Sequence, residues 1–332
     1  MKIITLKLFI LILLFSPLVS FADNQDEIDL FPIQKDGKWG YIDKTGNIVI
    51  KPQFDGTDGF AEGLARVWIN SKIGFIDETG ALIIQPNSDM TWPFSEGLAP
   101  VQIDGKWGYI DKKGNLVIKP QFDEAWLFSA GLARVKIGKK WGFINNRGST
   151  IIKPGFDWAG DFSEGMAPVK IKDKYGYIDK TGKILIEPEF SFGHEFSEGL
   201  ASVLHETESG EYTCSFIDKT GKPIIGPTQQ LGILFHEGLA GVLSDNGKFG
   251  FIDKTGSFVI QPKFDRIIYF EEGLCPVEID DKWGFIDKSG TIVIEPRFDE
   301  TYGFHNGLAN VKIGEKRGFI DKTGNYIWEP TK

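Results

Sequence analysis

The chain reads as an all-β tandem repeat array, and three observations carry that reading. One phrase, Trp39-Gly40-Tyr41-Ile42-Asp43-Lys44-Thr45-Gly46, returns as Trp107-Gly108-Tyr109-Ile110-Asp111, Trp141-Gly142-Phe143-Ile144-Asn145 and Trp283-Gly284-Phe285-Ile286-Asp287, with weaker copies at Ile73, Tyr175, Cys214, Phe249 and Arg317. The isoleucines of the copies, from Ile42 to Ile320, are separated by steps of 34 residues, apart from one step of 39 and one of 35. A constant period of this size specifies stacked structural repeats. Each copy also carries glycines, an internal proline and β-branched runs such as Ile48-Val49-Ile50, which suit strands and not helices.

Residues 1–22 form an export leader by pattern. Lys2 and Lys7 supply a positive start, residues 8–15 are uninterrupted apolar, Pro17 breaks helix, and Ser20 and Ala22 are the small residues a signal peptidase accepts. Cleavage is expected after Ala22. Residues 23–29 then form a short N-terminal segment and residues 30–332 the repeat array. No later stretch approaches the roughly 20 apolar residues of a membrane span. Loss of Lys2 and Lys7 takes the formal charge from −9 to −11. A net acidic surface argues against nucleic-acid partners and anionic membranes, which select clustered Lys and Arg.

Within one unit the first strand alternates: Leu132, Val135 and Ile137 are apolar, with Arg134 and Lys136 between them. A tight turn such as Gly138-Lys139-Lys140 leads to the second strand at Trp141. Asp-Lys-Thr-Gly follows in many copies. Its Asp can bond the turn backbone and its Gly accepts positive φ, the signature of a type I turn with a bulge. The third strand ends at a proline that cannot donate to a ladder, as at Pro52, Pro120, Pro154 and Pro296. Each unit is therefore expected to be a three-stranded antiparallel meander. Eight residues past each of the first eight such prolines stands a phenylalanine, from Phe60 to Phe304, placed to fill the seam between neighbours. A 34-residue meander cannot bury enough apolar surface alone, so units must stack.

The degenerate first strand begins at Leu30 and the last strand ends before Pro330, so both ends coincide with a unit boundary. Without a unit shared between the termini, the reading is an open, curved or superhelical β array of about nine meanders, with a closed propeller-like toroid as the alternative.

The phrase Trp-Gly-Tyr-Ile-Asp-Lys-Thr-Gly-x-Ile-Val-Ile-x-Pro-x-Phe-Asp, followed by Phe-Ser-Glu-Gly-Leu-Ala, resembles the bacterial WG repeat family, also called the KWG repeat. The resemblance spans about residues 30–330 and implies a β-rich repeat scaffold. It brings no reaction, cofactor or catalytic residue. The sixth copy departs most, with Ser215 in place of the glycine and five extra residues between Val203 and Cys214.

An enzyme needs a singular constellation, whereas this chain offers the same residues repeatedly. His194, His205, His236 and His305 share no ligand-like spacing, so no metal site is assigned. Cys214 and Cys275 sit at repeat positions that suit small packed hydrophobes. The aspartates serve as turn formers, and Glu62, Glu96, Glu164, Glu198, Glu237 and Glu272 read as a solvated acidic face. No catalytic residue and no cofactor is assigned. Positions that vary between units are better candidates, because the fold does not dictate them. Six residues past the repeat prolines stand Asp58, Trp92, Trp126, Gly160, His194, Ile233, Ile268 and Tyr302, and Trp68 occupies a strand position held by Gln102, Lys136 or Lys170 elsewhere. Exposed aromatics here could bind a partner protein or stack on sugar rings, or they could cover the seam to the next unit. Glu206, Glu208 and Glu211 on the lengthened hairpin form a second candidate contact, expected on a mobile loop.

The function expected is thus an exported, non-enzymatic scaffold that binds a protein or glycan of the cell envelope. The alternatives are a purely structural envelope component and, as a third, a hydrolase-like site near the sixth repeat. Expressed with its leader in a bacterial host, the exported protein should have a mature chain starting at Asp23. Intact-mass measurement checks this, and a product still carrying Met1 would refute export.

Overall fold

The computed structural model describes residues 29–88, 90–228 and 231–331. The expected leader, residues 1–22, and residues 23–28 lie outside them. Every sheet is a small antiparallel meander of consecutive strands, nine in all among the described residues, seven with four strands and two with three. Numbered as blades 1–9 they cover residues 31–54, 56–88, 98–122, 124–156, 158–190, 192–228, 231–264, 266–298 and 300–331.

The sequence unit and the blade are out of phase. The stretch between the proline and Gly-Leu-Ala, expected as a connector, forms the first strand of the next blade: Gly56–Ala61 in blade 2, Glu124–Ser129 in blade 4 and Glu300–His305 in blade 9. The expected three-stranded meander is therefore corrected to four strands. In blade 3 the first strand shrinks to a bridge between Thr91 and Val101. These first strands are innermost. The hydroxyls of Ser95, Ser129, Ser163 and Ser197 each donate to the carbonyl of the inner phenylalanine of the following blade, Phe128, Phe162, Phe196 or Phe235, at 2.6–2.8 Å. Fourth strands form the outer edge, where Val49, Val117 and Ile224 remain nearly half exposed.

The seams explain the repeated aromatics. At every seam but the closing one a third-strand ring meets the inner phenylalanine of the next blade: Tyr41 meets Phe60 at 4.9 Å, Tyr109 meets Phe128 at 5.0 Å, and Phe285 meets Phe304 at 4.8 Å. All of these rings are buried. The phenolic oxygens of Tyr109 and Tyr177 donate to the Trp126 and His194 carbonyls across the seam.

The array is closed, and the open form expected from the chain ends is corrected. Phe31, Ile33 and Ile42 of blade 1 share one buried cluster with Leu308 and Phe319 of blade 9, and the Thr331 hydroxyl donates to the Gln34 carbonyl. The molecule is a nine-bladed β-propeller. Closure needs no shared blade, because one residue does the work of the strand that blade 1 lacks among the described residues. The second-strand position paired with the repeat isoleucine is Ala65, Ala99, Ala133, Ala167, Ala201, Ala240, Cys275 or Ala309 in the other blades, and Phe31 in blade 1. The Phe31 ring lies 5.5 Å from Phe319, edge to face, where a first-strand phenylalanine would otherwise stand. Counted back from the second strand, the usual phenylalanine position is Asp26, which has no ring to offer.

The invariant-looking glycine of the Trp-Gly pair has a steric cause. A Cβ on Gly40 or Gly108 would stand 2.4 Å from the fourth-strand carbonyl of Ile50 or Ile118, where the ladder bulges before its proline. Blade 6 accepts Ser215 because the glycine has moved to the partner strand: Gly226, at φ 93°, approaches so closely that its own Cβ would meet the Cys214 carbonyl at 2.6 Å.

The Asp-x-x-Gly turns form as expected. The Asp43 carboxylate accepts from the Thr45 hydroxyl and from the Thr45 and Asn47 amides, and Gly46 sits at φ 86°. The Thr45 hydroxyl is the largest influence holding that carboxyl down at about 2. The expected acidic face is corrected. Glu62, Glu96, Glu164, Glu198, Glu237 and Glu272 each accept the amide of a glycine in the next blade, as Glu62 does from Gly97 at 2.9 Å. Five of them also pair with a lysine of that blade, Lys112, Lys219, Lys254, Lys288 or Lys322. They are clasps between blades, because the positive-φ turn that holds each glutamate aims it at the neighbouring turn. Among the described residues no helix is long and apolar enough to cross a membrane.

Because Phe31 closes the ring, Phe31→Ala should cost about 3–5 kcal/mol, the range for emptying a buried phenylalanine site. Urea unfolding checks the loss, and small-angle scattering should show the ring opening before the blades unfold.

Candidate binding surface on the inner strands

Trp68, Trp92 and Trp126, picked out because the repeat does not dictate them, are brought together. Trp92 of blade 3 stacks on Trp107 of its own blade (6.5 Å between centroids, 19° between planes) and on Trp126 of blade 4 (5.5 Å, 17°). The Arg66 guanidinium lies over Trp68 and Trp92, at 5.3 and 5.9 Å. Arg134 lies over Trp126 at 4.2 Å and reaches Trp141 and Trp158 at 5.8 and 5.9 Å. The result is a continuous ladder of indoles and guanidinium groups running from blade 2 to blade 5. Its rings are half-buried at Trp68, Trp92, Trp126 and Trp158, and buried at Trp107 and Trp141.

Strand register sets this arrangement. Arg66 and Trp68 are two apart on the second strand of blade 2, so they share a face. Arg134 stands at the same second-strand position in blade 4, where blades 3, 5 and 8 have Pro100, Pro168 and Pro276. Both arginines also hold seams. Arg66 donates to the Asp58 carboxylate of its own blade at 2.6 Å and to the Thr91 carbonyl of blade 3. Arg134, itself buried, donates to the Ala159 carbonyl of blade 5 at 2.7 Å and pairs with the Asp161 carboxylate at 2.9 Å.

Beyond Asp161 the ladder ends in acids. Burial pushes the Asp161 carboxyl up, against the opposing pull of Arg134, although 36% of its side-chain surface stays open. Glu195 of blade 6 reaches back into blade 5, where it accepts the Asp161 amide, and burial raises its carboxyl as well. Gly160 makes room for it, since a Cβ there would lie 2.7 Å from the Glu195 Oε1. His194 is buried beside the Phe192 ring, and burial holds its imidazole down at about 4. The sequence reading missed Arg66, Arg134, Asp161 and Glu195. The signal available was arginine at the variable place in Gly-Leu-Ala-Arg-Val, found only in the units of Arg66 and Arg134.

The remaining candidates lie elsewhere. Tyr302, on the inner strand of blade 9, is 52% exposed. Glu206, Glu208 and Glu211 are exposed at the tip of the blade 6 hairpin. That tip is a closed turn: the Thr207 amide donates to the Glu211 carbonyl at 2.8 Å, and Thr207 Oγ1 also caps it, as the Asp-x-x-Gly turns do. Cys214 and Cys275 are free and buried, and burial raises both thiols, away from the thiolate a nucleophile needs.

The model of the WG containing repeat matches residues 39–72, 73–107, 107–141, 141–175, 175–206, 249–283 and 283–316, well over half of the chain. This chain belongs to the WG repeat family. The WG repeat as matched runs from one Trp position to the next, so each unit supplies the two outer strands of one blade and the two inner strands of the following one. No curated protein matches the chain. Among solved structures it is similar to BamB from Moraxella catarrhalis (10% identity, 81% of this chain and 94% of that one, TM-score 0.49). It is also similar to the dihydro-heme d1 dehydrogenase NirN (12% identity, 85% and 76%, TM-score 0.49). At this distance neither likeness bears on function.

Arg134→Ala should destabilise the WG repeat ring by about 1–3 kcal/mol, because it strands the Asp161 carboxylate and uncovers three indoles. Arg134→Lys should recover little, since an ammonium cannot lie flat on Trp126 while bonding the Ala159 carbonyl. Urea unfolding followed by tryptophan emission measures both.

Proposed function

We propose that this protein is an exported, non-catalytic propeller scaffold that binds a partner protein or a glycan of the cell envelope through the inner-strand surface of blades 2–5. The observation that carries the reading is the gathering of Trp68, Trp92 and Trp126 with Arg66 and Arg134 into one half-exposed ladder. Flat indole faces beside guanidinium groups suit stacking on sugar rings or on the aromatic and proline side chains of a protein. Export is supported by the leader pattern of residues 1–22. A non-catalytic role is supported by the pairing of the polar groups: the repeated carboxylates are engaged in turns and blade clasps, and the blade 6 serine Ser202 donates to the Gly232 carbonyl.

A second reading, a purely structural component, is favoured by the arginines that stitch blade 2 to blade 3 and blade 4 to blade 5. Affinity capture from envelope extracts, run alongside a glycan array, separates the two. The wild-type protein should retain a discrete partner or glycan class, and the Trp68→Ala, Trp92→Ala, Trp126→Ala triple variant should bind it at least about tenfold more weakly, as loss of central aromatic anchors does. Circular dichroism must show that the variant keeps its β structure. Retention unchanged in a folded triple variant, or an empty capture with the wild type, would favour the structural role.

A further inference from the structure

In four blades a third-strand tryptophan faces a phenylalanine two residues past the repeat proline: Trp39 opposite Phe54, Trp107 opposite Phe122, Trp141 opposite Phe156 and Trp283 opposite Phe298. In two more, Tyr175 and Phe249 face Phe190 and Phe264. In the 3/4 seam both rings are buried and, with Ala125, pack into one cluster. Blade 2 departs at both places at once. Ile73 stands opposite Ser88, and a cavity of about 280 Å³ opens between blades 2 and 3 where the two rings would lie. Its walls include Ile73, Ile84 and Ser88 on blade 2, and Thr91, Val101 and Leu116 from blade 3.

Blades 6 and 9 have lost the same pair, but Leu204, Leu231 and Leu243 pack around Cys214, opposite Thr228, and Arg317, opposite Thr331, pairs with Glu300 at 3.0 Å. Blade 2 has no such filling. Trp68, at the position of Leu204, lies over Gly56 and beneath Arg66 instead. The wall is mostly apolar, its polar side chains being those of Asn87, Ser88 and Thr91. The Ser88 hydroxyl donates to the Met90 carbonyl at 2.8 Å and the Thr91 hydroxyl to the Pro100 carbonyl at 2.7 Å. Among the described residues no charged side chain lines it.

We propose that this cavity is a binding site for a neutral aromatic small molecule of one or two fused rings. Its blade 3 wall is the same second-strand and turn surface that receives a tryptophan and a phenylalanine in the sibling seams, so it is already shaped to flat rings. An apolar cavity of roughly 150 Å³ takes a benzene ring, so this larger one holds an indole-sized bicycle. With its hydroxyls committed to carbonyls, it selects against charged ligands, whose desolvation nothing here would offset. The site adjoins the indole–guanidinium ladder at Thr91, whose carbonyl takes Arg66, but does not depend on the ladder's role.

The test is titration of the full mature chain with indole, followed by calorimetry and ligand-observed NMR. Binding to the wild type is expected, together with at least a tenfold loss in Ile73→Trp/Ser88→Phe, which rebuilds the missing pair and should raise the thermal midpoint. Should that variant fail to fold, Leu116→Lys decides: Leu116 is 44% exposed at the rim, blade 4 has Thr150 at the equivalent place, and the lysine should cut indole binding without unfolding the blade. Trp92→Ala/Trp126→Ala should bind indole as the wild type does. No uptake by the wild type overturns the proposal. So does equal affinity in the folded cavity variants, or a loss confined to the ladder variant.

Discussion

Everything in this molecule depends on the seam between blades. A single antiparallel meander of this size has two apolar faces and too little volume to bury either, so no blade is stable alone. The chain meets that constraint by splitting each repeat across a seam: the two outer strands complete one blade and the next two begin the following one. The ring on the third strand and the phenylalanine on the next inner strand come from one sequence unit, about 19 residues apart, and touch across the boundary, as Tyr41 and Phe60 do. The contact that joins neighbours is therefore local in sequence at every seam but one.

That one seam joins blade 9 to blade 1, where no chain passes between the partners. The described part of blade 1 contributes no inner strand, and a ring has to come from somewhere else. Phe31 supplies it from the second strand, where the other blades keep alanine or cysteine because a first-strand phenylalanine already fills the space. Closure thus rests on side-chain packing supported by the Thr331 contact to Gln34, in place of the shared blade that often locks such rings.

Around this aromatic frame lies a second, polar set of links. Glutamates held at positive φ reach the next turn, serine hydroxyls reach the next inner strand, and two arginines bridge blades 2 to 3 and 4 to 5. The residues that vary from unit to unit are mostly woven into these links. The candidate surface and the seam are consequently one structure: the indoles that could stack on a partner already stack on each other, which pre-organises their faces. Irregularities fall into two kinds. Blade 6 compensates its losses with Gly226 and three leucines, whereas blade 2 leaves its missing pair as open space.

The sequence by itself determined three of the four strands of a blade, their order and their turns, because these depend on neighbours within one unit. Asp43 and Gly46 specified a turn, and the recurring phenylalanines announced a seam. Alternation was right for Leu132 and Val135, which are buried, but not for Ile137, which is 48% exposed at the strand end, or for Arg134, which is buried. It also marked Trp68, Trp92 and Trp126 as positions the fold does not require. Only the tertiary structure decided that the ring closes, that the connector is a strand, and that Arg66, Arg134, Asp161 and Glu195 join the tryptophans. The physical reason is range. Closure and the ladder depend on contacts between residues in different units, and a periodic sequence says that units are alike without saying how each is turned against the next. The small angle between blades decides whether nine of them make a circle or a spiral, and it is set by side chains meeting across the seam.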